Sequence, residues 1–196
     1  MQRLLYAVPA VLALVLAAAS IGAADTSQPF LLVLAKGPDP GSTTPSGADA
    51  LAEVAQAGAT TLKIGPATVP WTDGDITAAN SADRAALAHG LGTWVNLSTV
   101  ARATPTSGDT LLAQVVNSLK ADAGAPAIAL WKGADEPQWS GFAPSSLEFA
   151  YCRATGRGQT SWCAGEPVLD TSHPFVTIEA PKNADQLQPY SAVTDV

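Results

Sequence analysis

At 196 residues the chain has room for one domain of ordinary size or for part of a larger one. Its formal charge of -7, with no basic run, argues against nucleic acid or an anionic lipid surface as a partner. Charged residues make up only 14% of the chain, against roughly 25% in an average soluble domain, and hydrophobic residues reach 47%, a composition that excludes a disordered chain.

The first 24 residues read as a secretory signal. Arg3 is their only charge, Leu4 to Ala19 is almost wholly apolar, and Gly22, Ala23 and Ala24 offer small residues for cleavage. Pro9 interrupts this stretch, which falls short of the ~20 apolar residues of a spanning helix. The mature chain is expected to begin near Asp25, to be secreted or periplasmic, and to have no membrane attachment once the signal is removed. Residues 25 to 196 then form one domain.

Along that domain, β-rich apolar runs alternate with Ala-rich helical patterns in βαβα order. The pattern predicts a first strand over Phe30 to Ala35 and a helix from Ser46, as N-cap, to Ala57, stopped by Gly58. Thr60 to Ile64 is the second strand, and a helix starting near Ser81 within the stretch Ile76 to His89 follows it, closed by Gly90. Gly92 to Leu97 is the third strand. Ser107 or Asp109 caps a longer helix that runs to Ala121, and Ile128 to Gly133 is the fourth strand. A helix starts at Ser145 and carries Cys152. A disulfide from Cys152 to Cys163 is the default reading in an exported chain and would staple one local loop. Phe175 to Glu179 is the fifth strand, and Gln186 to Val196 reads as a short helix or turn leading toward another strand. Five strands do not close an eight-stranded barrel. The fold is therefore an α/β fold of (β/α) TIM-barrel type, truncated after about five βα units, or else a small open doubly wound sheet.

The stretch Ile128 to Pro137 carries most of the chemistry: a buried strand that stops at two adjacent carboxylates and a proline. Pro137 cannot donate a ladder hydrogen bond and biases Glu136 toward extended geometry, so Glu136 should stand at the carboxyl-terminal mouth of the sheet. In parallel α/β folds that mouth is where ligands bind. Neighbouring strand residues point to opposite faces, so Asp135 and Glu136 enter one cleft only if a bulge redirects one of them. A pairing of Glu136 with Lys132 would be a purely structural use of the same carboxylate.

Other candidates for substrate binding sit on neighbouring strands and loops. Lys63 lies in an apolar strand and needs a carboxylate or substrate to offset its burial. Asn96 ends the third strand and should face the cleft, even though residues 96 to 98 match a glycosylation sequon. Trp71 and Trp139, in the loops after strands two and four, could stack on a sugar ring, whereas Trp94 and Trp131 belong to strands and to packing. Glu179 lies at the end of strand five beside strand four. His89 and His173 are the only histidines; both read as structural, and no metal or other cofactor is expected.

Together, Gly65 and Pro66 after strand two, Trp94 to Leu97, Leu130 to Pro137, and His173 to Pro181 resemble the amino-terminal half of a (β/α)8-barrel glycoside hydrolase of the large retaining clan. That resemblance implies a carbohydrate substrate hydrolysed at its O-glycosidic bond, with Glu136 as general acid/base. The family's Asn before this Glu is Asp135 here. The resemblance also implies a nucleophilic carboxylate on a seventh strand, beyond the five predicted. Two alternatives accompany this reading: a non-catalytic secreted carbohydrate-binding protein, and a small open-sheet binding domain. The oligomeric state is left open by the sequence.

Overall fold

The computed structural model describes residues 33–34, 37–178 and 188–195. Its elements alternate as the apolar pattern requires: β1 (Val33–Leu34), α1 (Ala50–Gln56), β2 (Thr61–Ile64), α2 (Asp73–Ala88), β3 (Gly92–Asn96), α3 (Asp109–Lys120), β4 (Ile128–Asp135), α4 (Glu148–Thr155) and β5 (Phe175–Ile178). The five strands form one parallel sheet in the order β1-β2-β3-β4-β5. No reversal of order, the feature that creates the crevice of a doubly wound sheet, occurs among them. The described residues belong to one compact unit. The rest of the predicted first strand, Glu179 and the signal segment lie outside the described residues.

Strand alternation sorts the side chains between two faces. Thr93 of β3 donates to Asp83 of α2, and Phe175 of β5 meets Tyr151 of α4 edge to face, so these residues face the helices. Val95 and Trp131, in register with Phe175, share that face and are fully buried. Lys63, Trp94, Asn96 and Lys132 therefore occupy the opposite face. Helices α2 and α3 pack side by side, as do α3 and α4, and Arg153 of α4 ties itself to Asp109 of α3 at 2.7 Å.

Several helix ends differ from the sequence pattern because side-chain caps compete. Asp49, not Ser46, caps α1, accepting from the amides of Leu51 (2.9 Å) and Ala52 (3.0 Å); Ser46 instead donates to Glu53. Helix α2 starts at Asp73, well before Ser81, because Thr72 and Asp75 form a reciprocal capping box. Neither Ser107 nor Asp109 caps α3: Gly108 does, without a side-chain bond, and Asp109 becomes the first helical residue, held by Arg153. Helix α4 starts at Glu148, after a 3-10 turn at Pro144–Ser146 that takes up the predicted start at Ser145. Cys152 and Cys163 are joined in a disulfide.

The free edge of β5 is covered by the segment that follows it. After a 3-10 helix at Gln188–Val193, Asp195 donates its amide to the Phe175 carbonyl (2.9 Å) and accepts the Phe175 amide on its carboxylate (2.6 Å). The Thr177 amide donates to Thr194 Oγ1 at 3.2 Å. These bonds satisfy edge groups that would otherwise template pairing with another chain.

Asp83 is a buried acid inside the helix layer. Thr93 serves one of its carboxyl oxygens at 2.6 Å, and the other has no hydrogen-bond partner among the described residues. Burial pushes its pKa up to about 7, assisted by the Asp122 carboxylate and opposed by the Thr93 bond. A raised folded-state pKa on an acid means that stability falls as pH rises from about 4 to about 7, then levels off. Asp83→Asn is expected to remove this dependence, gaining up to about 4 kcal/mol on the wild type across that window. Urea midpoints of both proteins at pH 4 and pH 8 check this, and parallel pH profiles would refute it.

Candidate functional site

The carboxyl ends of β2, β3 and β4 converge on a polar cluster built around Lys132. An ammonium group on a buried strand needs partners, and Lys132, 1% exposed, finds two. Its Nζ donates to Ser98 Oγ at 2.8 Å and pairs with Asp135 at 3.3 Å. Burial pushes its pKa down to about 8 against the upward pull of Asp135, with Lys63 adding repulsion and Glu136 attraction. Lys63, Asp135 and Glu136 thus all lie within electrostatic reach of one buried amine.

The Lys132 contacts depend on a bulge. The pairing of β4 with β5 runs in register from Trp131 to Lys132, then shifts before Asp135. Gly133 sits inside the shifted segment, where a Cβ would come within 2.3 Å of the Phe175 ring, so only glycine lets the two strands approach there. The shift turns Asp135 back onto Lys132. This is the redirection that the adjacent carboxylates demand, and it makes Asp135 rather than Glu136 the partner of the lysine.

Glu136 itself departs from the geometry its proline neighbour favours. Instead of extended backbone it has φ 45°, and among the described residues it alone combines a side chain with positive φ. Two hydrogen bonds over-determine this conformation: its amide donates to the Ile178 carbonyl (2.6 Å), and its carbonyl accepts from the Ser140 amide (3.0 Å). A non-glycine residue in this region costs roughly 1–3 kcal/mol, and such strain clusters at functional sites. The Glu136 side chain is exposed.

Asn96, 1% exposed, is committed to the protein. Its amide donates to the Pro66 carbonyl (2.7 Å), and its oxygen accepts from Ser98 Oγ (2.5 Å), so it positions Ser98. Neither a sequon acceptor nor a direct sugar ligand fits that burial. Trp71 is likewise buried, at 3% exposure, with its indole donating to the Asn96 carbonyl at 3.1 Å. It packs on Gly65, where a Cβ would come within 2.4 Å of the ring. Trp71 is therefore a wall of the site and offers no stacking platform. Trp139, in the turn after Glu136, keeps 57% of its surface exposed and does offer one. Half-buried Lys63 pairs in register with Trp94 and adjoins a cavity of about 330 Å³ that includes Gly37, Gly65, Pro66 and Asp75. Glu179 lies outside the described residues.

Ser98 is the residue that sequence reasoning missed. It links Asn96, Lys132 and the Gly133 carbonyl (2.9 Å), and the one available signal was the need of a buried lysine for a neutral or anionic partner. At the opposite end of the sheet Asp170 collects His173 Nδ1 (2.7 Å), Trp131 Nε1 (2.9 Å) and the Ser172 amide (2.8 Å). Burial works to raise the Asp170 pKa, but these bonds outweigh it and hold the carboxyl below its ordinary value. That cluster braces the amino-terminal side of β5. Among the described residues no group of three His, Cys, Asp or Glu side chains is placed to hold a metal, and no helix is long and apolar enough to cross a membrane.

Comparison with family models, curated proteins and solved structures found no match to this chain, so the geometry alone carries the functional argument.

A lysine whose folded pKa is depressed costs stability at neutral pH, and the cost is relieved as pH rises from about 8 through 10.5. Wild type is expected to gain up to about 3 kcal/mol relative to Lys132→Met between pH 7 and pH 10. Denaturant midpoints of the two proteins at both pH values check it; a constant difference between them would show that Lys132 is not buried charged.

Proposed function

We propose that this chain carries the acid/base half of a secreted glycoside hydrolase of the (β/α)-barrel type, with Glu136 as the proton donor to the glycosidic oxygen. The observation that carries this reading is the strained, exposed Glu136 at the carboxyl end of the fourth of five parallel strands in sequential order. A sequential parallel sheet with right-handed crossovers places every helix on one face, the winding of a barrel. The carboxyl ends of its strands are then the active-site rim. The disulfide and the apolar leader of the sequence support an exported protein.

In this reading Glu136 delivers a proton to the leaving sugar and recovers it from water in the second half-reaction. Lys132 steers the local charge: its ammonium neutralises Asp135, so the rim presents one free carboxylate on β4 instead of two repelling ones. Trp139 supplies an aromatic face beside the donor. The nucleophilic carboxylate about 5 Å away that retention requires comes from a segment outside the described residues.

A second reading, carbohydrate binding without turnover, is favoured by the commitment of Asp135 to Lys132, which removes the nearest second carboxylate. A panel of oligosaccharides offered to the intact gene product separates the two. Hydrolysis that falls by roughly a thousandfold in Glu136→Gln, with binding retained, is the expected result. Hydrolysis undiminished in that variant removes Glu136 from the mechanism, and binding with no hydrolysis in the wild type selects the second reading.

A further inference from the structure

A second cavity opens at the carboxyl end of β3, lined by Thr68, Pro70, Ser98, Thr99, Arg102 and Phe142, with a volume of about 290 Å³. That is near the lower limit of the ~300–1,000 Å³ of small-molecule sites, a size suited to one ring. Its polar lining consists of hydroxyls and one guanidinium; no carboxylate lines it. Three of the four arginines among the described residues pair with a carboxylate: Arg84 with Asp122, Arg153 with Asp109 and Arg157 with Asp195. Arg102 has no carboxylate partner among the described residues, although acidic side chains outnumber basic ones 17 to 10.

Arg102 is held another way. Its guanidinium carbon lies 4.1 Å from the centre of the Phe142 ring, and the Phe142 carbonyl is anchored by the Tyr190 hydroxyl at 2.6 Å. A guanidinium stacked by one face keeps its N–H edge available, and that edge matches a planar carboxylate in two parallel hydrogen bonds. Ser98 joins this cavity to the Lys132–Asp135 cluster beside Glu136.

We propose that this cavity is a subsite for a carboxylate-bearing sugar, a uronic acid unit of the glycan, clamped by Arg102. The subsite rests on the carbohydrate reading of Glu136 and names its substrate class. Arg102 is exposed, so a neutral glycan leaves its guanidinium to water, whereas a uronate meets the N–H edge with charge-assisted hydrogen bonds and orients the chain across the rim.

Calorimetric titration of the full chain with three trisaccharides tests it: one of galacturonic acid, one of galactose, and the galactose form carrying a sulfate ester. The galacturonate is expected to bind at least about tenfold more tightly than either other probe. Arg102→Met, which keeps an apolar stem on Phe142, should erase that preference while leaving the melting temperature in place. Equal affinity for acidic and neutral probes, equal affinity for the sulfated one, a preference surviving in Arg102→Met, or no binding of any probe would overturn the proposal. The two readings fail separately. Loss of the acid preference with Glu136-dependent hydrolysis intact removes only the subsite; hydrolysis indifferent to Glu136→Gln, with the acid preference retained, removes only the glycosidase.

Discussion

A lysine ammonium buried in a parallel sheet has to be compensated where it lies, and that requirement organises the carboxyl end of this fold. Lys132 is almost completely buried, and its amine accounts for the placement of Ser98 on one side and Asp135 on the other. Ser98 is held by Asn96, Asn96 holds the Pro66 carbonyl, and the Asn96 carbonyl takes the Trp71 indole. One charge thereby ties the loops after β2 and β3 to β4. Removing a partner from such a network leaves a buried charge unsatisfied, which costs more than any single bond in it contributes.

The same constraint explains the local irregularities. Asp135 reaches Lys132 because the β4–β5 register shifts, and Gly133 permits the shift by leaving room for the Phe175 ring. The bulge hands the next residue, Glu136, a backbone conformation that a side chain rarely adopts. Strain of this kind persists only when surrounding bonds outweigh it, and here the Ile178 and Ser140 contacts do so. The strain of Glu136 is thus offset by its own backbone hydrogen bonds at the carboxyl end of β4.

Around this rim the rest of the structure is conventional support. The helix layer buries Val95, Trp131 and Phe175 against α2 to α4, Asp195 closes the β5 edge, and the disulfide fastens α4 to the loop after it. Asp83 is an exception inside that layer: an acid whose pKa burial raises to about 7, with one oxygen unpaired among the described residues. Nothing in the proposed chemistry uses it, and its cost must be met by the packing around it.

The amino-acid sequence by itself determined the βαβα alternation, the position of every described strand to within a few residues, the pairing of its two cysteines, and the arrival of Glu136 at a strand end. These follow from local periodicity, from glycine and proline punctuation and from cysteine count, all of which act over a few residues. Helix starts were less legible, because Asp49, Thr72 and Gly108 compete with nearby Ser and Asp residues for the same capping role. Only the tertiary structure decided that Lys132 takes Asp135 and Ser98, that Asn96 and Trp71 turn inward while Trp139 stays exposed, and that Arg102 stands on Phe142 without an acid partner among the described residues. Period-two alternation assigns a side chain to a face, but its partners across strands depend on register. A single bulge changes that register, and with it every contact at the rim.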